Sequence, residues 1–439
     1  MKYYSTNGKA PIADLHKAVV KGLAEDRGLY MPEKINKLPK EFFDNIEKMS
    51  FQEIAYTVAS AFFGEDVDPD ALHDIVYDTL QFDCPVVNVK DNIYTLELFH
   101  GPTLAFKDVG ARFMARLLQY FIKQENNHKE VNVLVATSGD TGSAVANGFL
   151  GVDGIHVYVL YPKGKVSPIQ ECQFTTLGKN ITAIEVDGVF DDCQALVKNA
   201  FMDAELNEHM KLTSANSINV ARFLPQAFYY FNAYARMKEI ANTQHLSPNQ
   251  LVMCVPSGNF GNICAALFGH EMGLPIKRFI AANNANDIFY NYLQTGKYEP
   301  KPSKQTLANA MDVGDPSNFA RIYDLYGKSH AKITSLISGA TYSDEQIKAT
   351  MRECYKDSGY ILDPHGACGY QALKDGLQAG EVGVFCETAH PAKFKEKVDD
   401  ILGIDVEIPE RLAAFMRGQK QSVPMSKDFA DFKDYLMRQ

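Results

Sequence analysis

The chain has 439 residues, room for two large domains or three of average size. Hydrophobic residues make up 46% and charged residues 22%, enough apolar material for a core, so disorder as the main state is excluded; 30 Gly and 19 Pro without a period exclude a collagen-like chain. The 44 Lys and Arg against 54 Asp and Glu leave a net charge of −10, which argues against a broad nucleic-acid surface but not against one small anion held by a few cations and N–H groups.

In chain order, residues 1–92 read as a mainly helical N-terminal extension. Apolar positions recur at helical spacing in 13–23, 51–63 and 71–80. No h-region stands near the N-terminus, and the apolar runs 131–136 and 155–161 are far shorter than the ~20 residues of a membrane span. A cytoplasmic protein with no membrane partner is therefore expected. The eight Cys are scattered without a C-x-x-C, which reads as reduced thiols rather than disulfides or a metal site.

From residue 131 onward, strands and helices alternate. Strands are expected at 131–136, 155–162, 181–186, 251–258 and 278–282, with a late strand running into a loop over 381–391. Helices are expected at 143–150, 168–177, 191–201, 263–270, 343–359 and 392–402, with one long helix near 220–240. Such alternation implies βαβ units and parallel sheets, hence an α/β fold with two doubly wound sheet domains. The expected boundaries are 1–92 for the extension, 93–215 for a first domain and 216–439 for a second, larger one. Ligands in such folds sit beyond the C-terminal ends of the strands.

The P-loop, G-x-G-x-x-G, H-E-x-x-H and G-x-S-x-G signatures are absent, which removes the usual grounds for a P-loop kinase, a dinucleotide oxidoreductase, a zinc protease or a serine hydrolase. Three strand-to-helix loops stand out instead. TSGDTG (137–142) offers hydroxyls and N–H groups at a helix start, suited to a carboxylate, though an ordinary capping turn explains it as well. PSGNFGN (256–262) lets the backbone approach a ligand at Gly258 and Gly261, as a phosphate cradle requires. GPTLAFKDVGARF (101–113) places Lys107 behind Phe106 at the start of a helix whose buried stripe is Val109, Phe113, Leu117 and Phe121. Burial and the positive end of the helix dipole both disfavour a charged amine there, as an amine nucleophile needs. A solvated surface lysine is the plainer alternative. A phosphate cradle, a carboxylate loop and a lysine amine together suit pyridoxal 5'-phosphate.

Five motifs in order carry a family resemblance: HGPTLAFKD (100–108), ATSGDTG (136–142), SANSIN (214–219), PSGNFGN (256–262) and TAHPAKF (388–394). With NAMDVGDPSNFAR (309–321), they make the chain resemble, over essentially its whole length, the long-chain bacterial and fungal branch of the threonine synthase family. That family belongs to the fold-type II pyridoxal-phosphate enzymes, whose architecture is similar to that of the tryptophan synthase β subunit. The resemblance implies that Lys107 carries the cofactor and moves protons. It implies that Gly258, Asn259, Phe260, Gly261 and Asn262 hold the cofactor phosphate and that Thr388 faces the pyridine nitrogen. Ser138, Asp140, Thr141 and Gly142 are implied to bind the substrate carboxylate, and Asn216, Ser217, Asn219 and Arg222 the substrate phosphate. Asp140 stands where many fold-type II relatives have Asn, and an acid beside a carboxylate is electrostatically awkward. The implied reaction converts O-phospho-L-homoserine and water to L-threonine and phosphate. Another fold-type II lyase, such as a threonine or serine dehydratase, shares the lysine and both glycine loops but needs no second phosphate site. A catalytically inactive ligand-binding relative is the reading from a different class, and the intact Lys107 speaks against it. Oligomeric state and effectors stay open.

Overall fold

A computed structural model describes residues 1–244 and 248–439. The chain forms two compact units, one of residues 1–33, 107–223 and 408–439, the other of residues 34–106 and 224–407. This division differs from the expected boundaries. The segment 1–92 is shared between both units, and the C-terminal 32 residues return to the first. Local pattern marks where elements begin, but not which sheet a distant segment joins.

The first unit is built on a five-stranded, all-parallel sheet in the order Val423–Ser426, Ile181–Asp187, Ile155–Pro162, Val131–Ala136, Lys211–Ser214. One of its interior strands, VNVLVA, is buried at every position, so it reads as one apolar run rather than an alternation. Beside this sheet lies a three-stranded antiparallel one of Lys2–Ser5, Ala13–Asp14 and Tyr30–Pro32. The N-terminal extension is thus less helical than expected. Its first helix is confined to Leu15–Lys21, capped by the Asp14 carboxylate and ended at Gly22 with φ +79°.

The second unit holds a six-stranded sheet in the order Ile337–Thr341, Arg278–Asn283, Leu251–Pro256, Val382–Glu387, Ile93–Glu97, Val86–Lys90. All neighbours are parallel except the last pair. The expected helices at 51–63 and 343–359 form for legible reasons. Each starts with a capping box, Ser50 with Glu53 and Ser343 with Gln346, and the second ends at Gly359 in the left-handed region. The expected long helix near 220–240 is broken. Val220–Phe223 gives way to a 3-10 turn at Leu224–Gln226, and the helix resumes at Ala227–Gln244, because Pro225 has no N–H to donate and its ring crowds the preceding turn. None of the eight cysteines is in a disulfide, and seven are buried. Among the described residues, no helix is long and apolar enough to cross a membrane.

Candidate active site

In the first unit, Lys107 is the first residue of the helix Lys107–Gln124 and is half-buried. The four residues of the expected stripe, Val109, Phe113, Leu117 and Phe121, are all buried and fix that helix. Lys107 Nζ donates to Thr141 Oγ1 at 2.6 Å, which joins the lysine to the TSGDTG loop.

That loop is organised by a residue not singled out from the sequence. Thr137 Oγ1 accepts the N–H groups of Gly139 at 2.9 Å and Gly142 at 2.7 Å. Gly139 has φ +141°, which L side chains rarely adopt, and an added Cβ would lie 2.6 Å from the Gln170 carboxamide. Gln170 also settles the awkward acid: its Nε2 donates to Asp140 Oδ1 at 2.9 Å, and both side chains are buried. The Thr141 N–H finds no acceptor among the described residues, leaving a donor at the helix start for a carboxylate. Gln170 itself sits at the third position of a capping box begun by Ser167, a signal visible in the sequence but with no hint of this second duty.

The SANSIN turn is tightly self-bonded. Asn216 Oδ1 accepts from Ala136 N at 3.0 Å and its Nδ2 donates to Ala136 O at 2.7 Å. Asn219 Nδ2 donates to the carbonyls of Val19 and Ser214, and its Oδ1 accepts from Ala221 N. Arg222 is 1% exposed. Its Nε donates to Ala215 O at 2.6 Å, and one terminal nitrogen lies 3.4 Å from Lys107 O. These side chains therefore brace the turn and the start of the lysine helix. A Cβ on Gly110 would lie 2.3 Å from Arg222 O and 2.7 Å from its guanidinium, so glycine is required for this packing. Ser217 is half-buried in the same turn.

In the second unit, the PSGNFGN loop joins the strand Leu251–Pro256 to the helix Gly261–Glu271. Asn262 staples it: Oδ1 accepts from Ser257 Oγ and Ile263 N, and Nδ2 donates to Pro256 O. Asn259 ties it outward, its Oδ1 accepting from Ser317 N and its carbonyl from Asn318. Phe260 holds φ +66°, an uncommon conformation for a bulky residue, with its ring 4.6 Å from that of Phe289. Gly258 has no room for a side chain, since a Cβ would stand 2.7 Å from both Ala310 O and Met311 Cα. The N–H groups of Gly258, Phe260, Gly261 and Asn262 find no acceptor among the described residues. Four donors without an acceptor, in a loop with no room for a side chain at Gly258, fit a phosphate. In the same unit, Thr388 follows the strand Val382–Glu387 and is 4% exposed; its carbonyl accepts from Phe106 N at 2.8 Å. His390 N donates to Leu104 O, and the buried Lys393 amine donates to Thr103 O at 2.9 Å. The stretch leading to Lys107 is thus laced to the TAHPAKF segment. The lysine amine, the bare N–H cradle and the buried threonine are the residue types pyridoxal phosphate needs.

Residues 82–386 match the pyridoxal-phosphate dependent enzyme family, which defines the class. Residues 2–80 match the threonine synthase N terminus and 366–436 the threonine synthase C-terminal region. The threonine synthase of Serratia marcescens is 44% identical over 437 residues, covering 100% of this chain and 99% of that one. The crystal structure of threonine synthase from Escherichia coli superposes with a TM-score of 0.94 at 43% identity, covering 100% of both chains. That of pyridoxal-phosphate-bound threonine synthase from Brucella melitensis superposes at 0.89 and 34% identity, covering 100% of this chain and 99% of that one. The chain belongs to the threonine synthase family, and with it to the pyridoxal-phosphate enzymes of fold-type II. Full-length likeness to threonine synthases does not favour the dehydratase alternative.

Proposed function

We propose that this protein converts O-phospho-L-homoserine and water to L-threonine and phosphate, in the cytoplasm. The observation that supports the chemistry best is the Lys107 amine held 2.6 Å from Thr141 Oγ1 at the start of a buried helix. An amine so placed is oriented by its hydrogen bond to Thr141 at the starts of two helices. When bound, pyridoxal phosphate supplies an electron sink for the charge left where a proton is removed beside the substrate amine.

The chain's own residues then have separable duties. Lys107 carries the cofactor and moves protons at the substrate Cα and at the carbons beyond it. The C–O bond at Cγ breaks with loss of phosphate, and water adds at Cβ. Thr141 and Gly142, with Ser138, hold the substrate carboxylate; Asp140, engaged by Gln170, shapes that loop. Gly258 to Asn262 hold the cofactor phosphate through main-chain N–H groups, and Thr388 offers a neutral hydroxyl to the ring nitrogen. Asn216, Ser217, Asn219 and Arg222 form the substrate-phosphate region. In this reading Asn216 and Asn219 act by shaping the turn, since their side chains are spent on main-chain groups. Arg222 contributes a buried positive charge as well as its bond to Ala215.

The test is phosphate release from O-phosphohomoserine with detection of threonine. Release of a keto acid from serine or threonine, with O-phosphohomoserine inert, would instead identify a dehydratase. Arg222→Ala is expected to weaken binding of O-phosphohomoserine by roughly ten- to a hundredfold and to leave serine binding nearly unchanged, as loss of a charge-assisted contact implies. Equal loss for both ligands would show a purely structural arginine.

A further inference from the structure

Behind Thr388 lies a buried cluster that none of these roles uses. Glu387, the residue before it, closes the strand Val382–Glu387 and is fully buried. Its Oε1 accepts from Asp363 N at 3.0 Å. Its Oε2 has no donor among the described residues and lies against Gly366, the residue whose N–H donates to Asp363 Oδ1 at 2.8 Å, so both fully buried carboxyls face one turn. Two carboxyl groups buried side by side favour a proton on one of them.

The hydrogen bonds say which group carries it. Asp363 already accepts from Gly366 N at 2.8 Å, from His365 N at 3.2 Å and from His365 Nδ1 at 2.5 Å. Burial opposes an anion there, but His365, the Glu387 carboxyl and the Gly366 N–H together outweigh it, holding Asp363 below the usual range. Glu387 has one donor, and burial, then the Asp363 charge, push it well above the usual carboxyl range. Its parallel cross-strand neighbour Glu97 adds a third carboxyl, committed to Tyr360 at 2.6 Å and His100 at 3.0 Å. The cluster then leads onward. His365 Nε2 accepts from Ala310 N at 3.0 Å, so the ring's proton sits on Nδ1. Ala310 is the residue whose carbonyl excludes a side chain at Gly258. Gly366 has its own reason to be glycine, since a Cβ would lie 2.1 Å from Glu387 Oε2.

We propose that Glu387 is a neutral carboxylic acid whose proton bridges to Asp363, and that it is a positioning residue for the cofactor. Through the chain it sets Thr388, and through Asp363, His365 and Ala310 it holds the 309–311 turn against the phosphate loop. The ring end and the phosphate end of the cofactor site are thereby braced by one hydrogen-bonded piece. This rests on the reading of Thr388 and the Gly258 loop as cofactor contacts.

Glu387→Gln keeps both bonds, the carboxamide oxygen accepting from Asp363 N and the NH2 donating to the Asp363 carboxylate. Glu387→Leu keeps neither. Cofactor dissociation constants from equilibrium titration, and the absorption maximum of the bound cofactor, are expected to be near wild type for Gln. For Leu, dissociation is expected to be roughly ten- to a hundredfold easier, with a shifted maximum. The infrared carbonyl stretch of a protonated carboxylic acid is expected at neutral pH in the wild type and lost in Glu387→Gln; this reading needs no destabilised variant. Absence of that band, or a Gln variant as impaired as Leu, overturns the proposal. Thr388→Val separates the two readings. If it shifts the cofactor spectrum while Glu387→Leu leaves affinity and spectrum untouched, the positioning role fails alone. If Thr388→Val changes nothing, the assignment of Thr388 fails, and the infrared band still reports on Glu387.

Discussion

The two glycine loops look alike in sequence and are built by opposite means. TSGDTG is organised by its own side chains and one neighbour: Thr137 gathers two N–H groups, and Gln170 pairs with Asp140. PSGNFGN is pressed into shape from outside, by Ala310 and Met311 against Gly258 and by Ser317 and Asn318 on Asn259. The first loop leaves a hydroxyl in contact with the Lys107 amine, the second leaves bare N–H groups. A loop that meets a changing substrate gains from side chains that donate and accept. A loop that meets a constant phosphate gains from rigid main chain.

The comparison can be broken at four points, in falling order of effect. Lys107→Ala is expected to lower turnover by on the order of 10³-fold or more and to abolish the absorption band of the bound cofactor. Normal turnover in that variant would remove Lys107 from the chemistry. Gly258→Ala puts a methyl group 2.7 Å from main-chain atoms that cannot step aside. It is expected to weaken cofactor binding by roughly tenfold or more, through ~1–3 kcal/mol of overpacking, with less effect on substrate affinity at saturating cofactor. Titration of the variant with pyridoxal phosphate decides this. Thr137→Val removes the acceptor of two buried N–H groups. The expected cost is ~1–3 kcal/mol of stability, seen as a lower urea midpoint, together with a raised KM and an unchanged cofactor affinity. A change in cofactor affinity equal to that in KM would mean the two loops are not separable.

The smallest effect on activity is expected far from either loop. Glu381 precedes the strand Val382–Glu387, at the end opposite Thr388, and takes a two-pronged bond from Arg278, at 2.7 and 2.9 Å. That guanidinium, despite burial, and with help from Gln378 N–H and Lys277, holds the carboxyl down at about 2. A lowered carboxyl stabilises the fold above its unfolded value and loses that contribution as pH falls toward the folded one. The Glu381 share of stability is therefore present at neutral pH and lost between about pH 4.5 and 2. Glu381→Gln is expected to flatten the acid limb of a pH-stability curve and to leave turnover and cofactor binding alone. An impaired cofactor affinity would show that the strand transmits strain from one end to the other.

Much was legible from local chemistry. Apolar runs such as VNVLVA mark strands buried on both faces, serine capping boxes mark helix starts, and five ordered motifs carry the family. The fold class and the sets of loops follow from these, because hydrophobic period and capping depend on neighbours a few residues apart. Pro225 shows the limit within that range: a helical pattern on both sides hid a break that the missing N–H imposes.

Other features have no local signature. Nothing near Asp140 points to Gln170, thirty residues on, and nothing near Glu387 points to Asp363 and His365. Arg222, for which the resemblance implies a substrate-phosphate role, braces Ala215, which its position in a short helix does not reveal. The sequence by itself determined most of the elements and the family. Tertiary structure decided which unit each segment joins, which carboxyl keeps its proton and which glycines have no room for a side chain. The physical reason is that burial, hydrogen-bond satisfaction and steric contact are set by groups distant in the chain, and these become neighbours only after the sheets have formed.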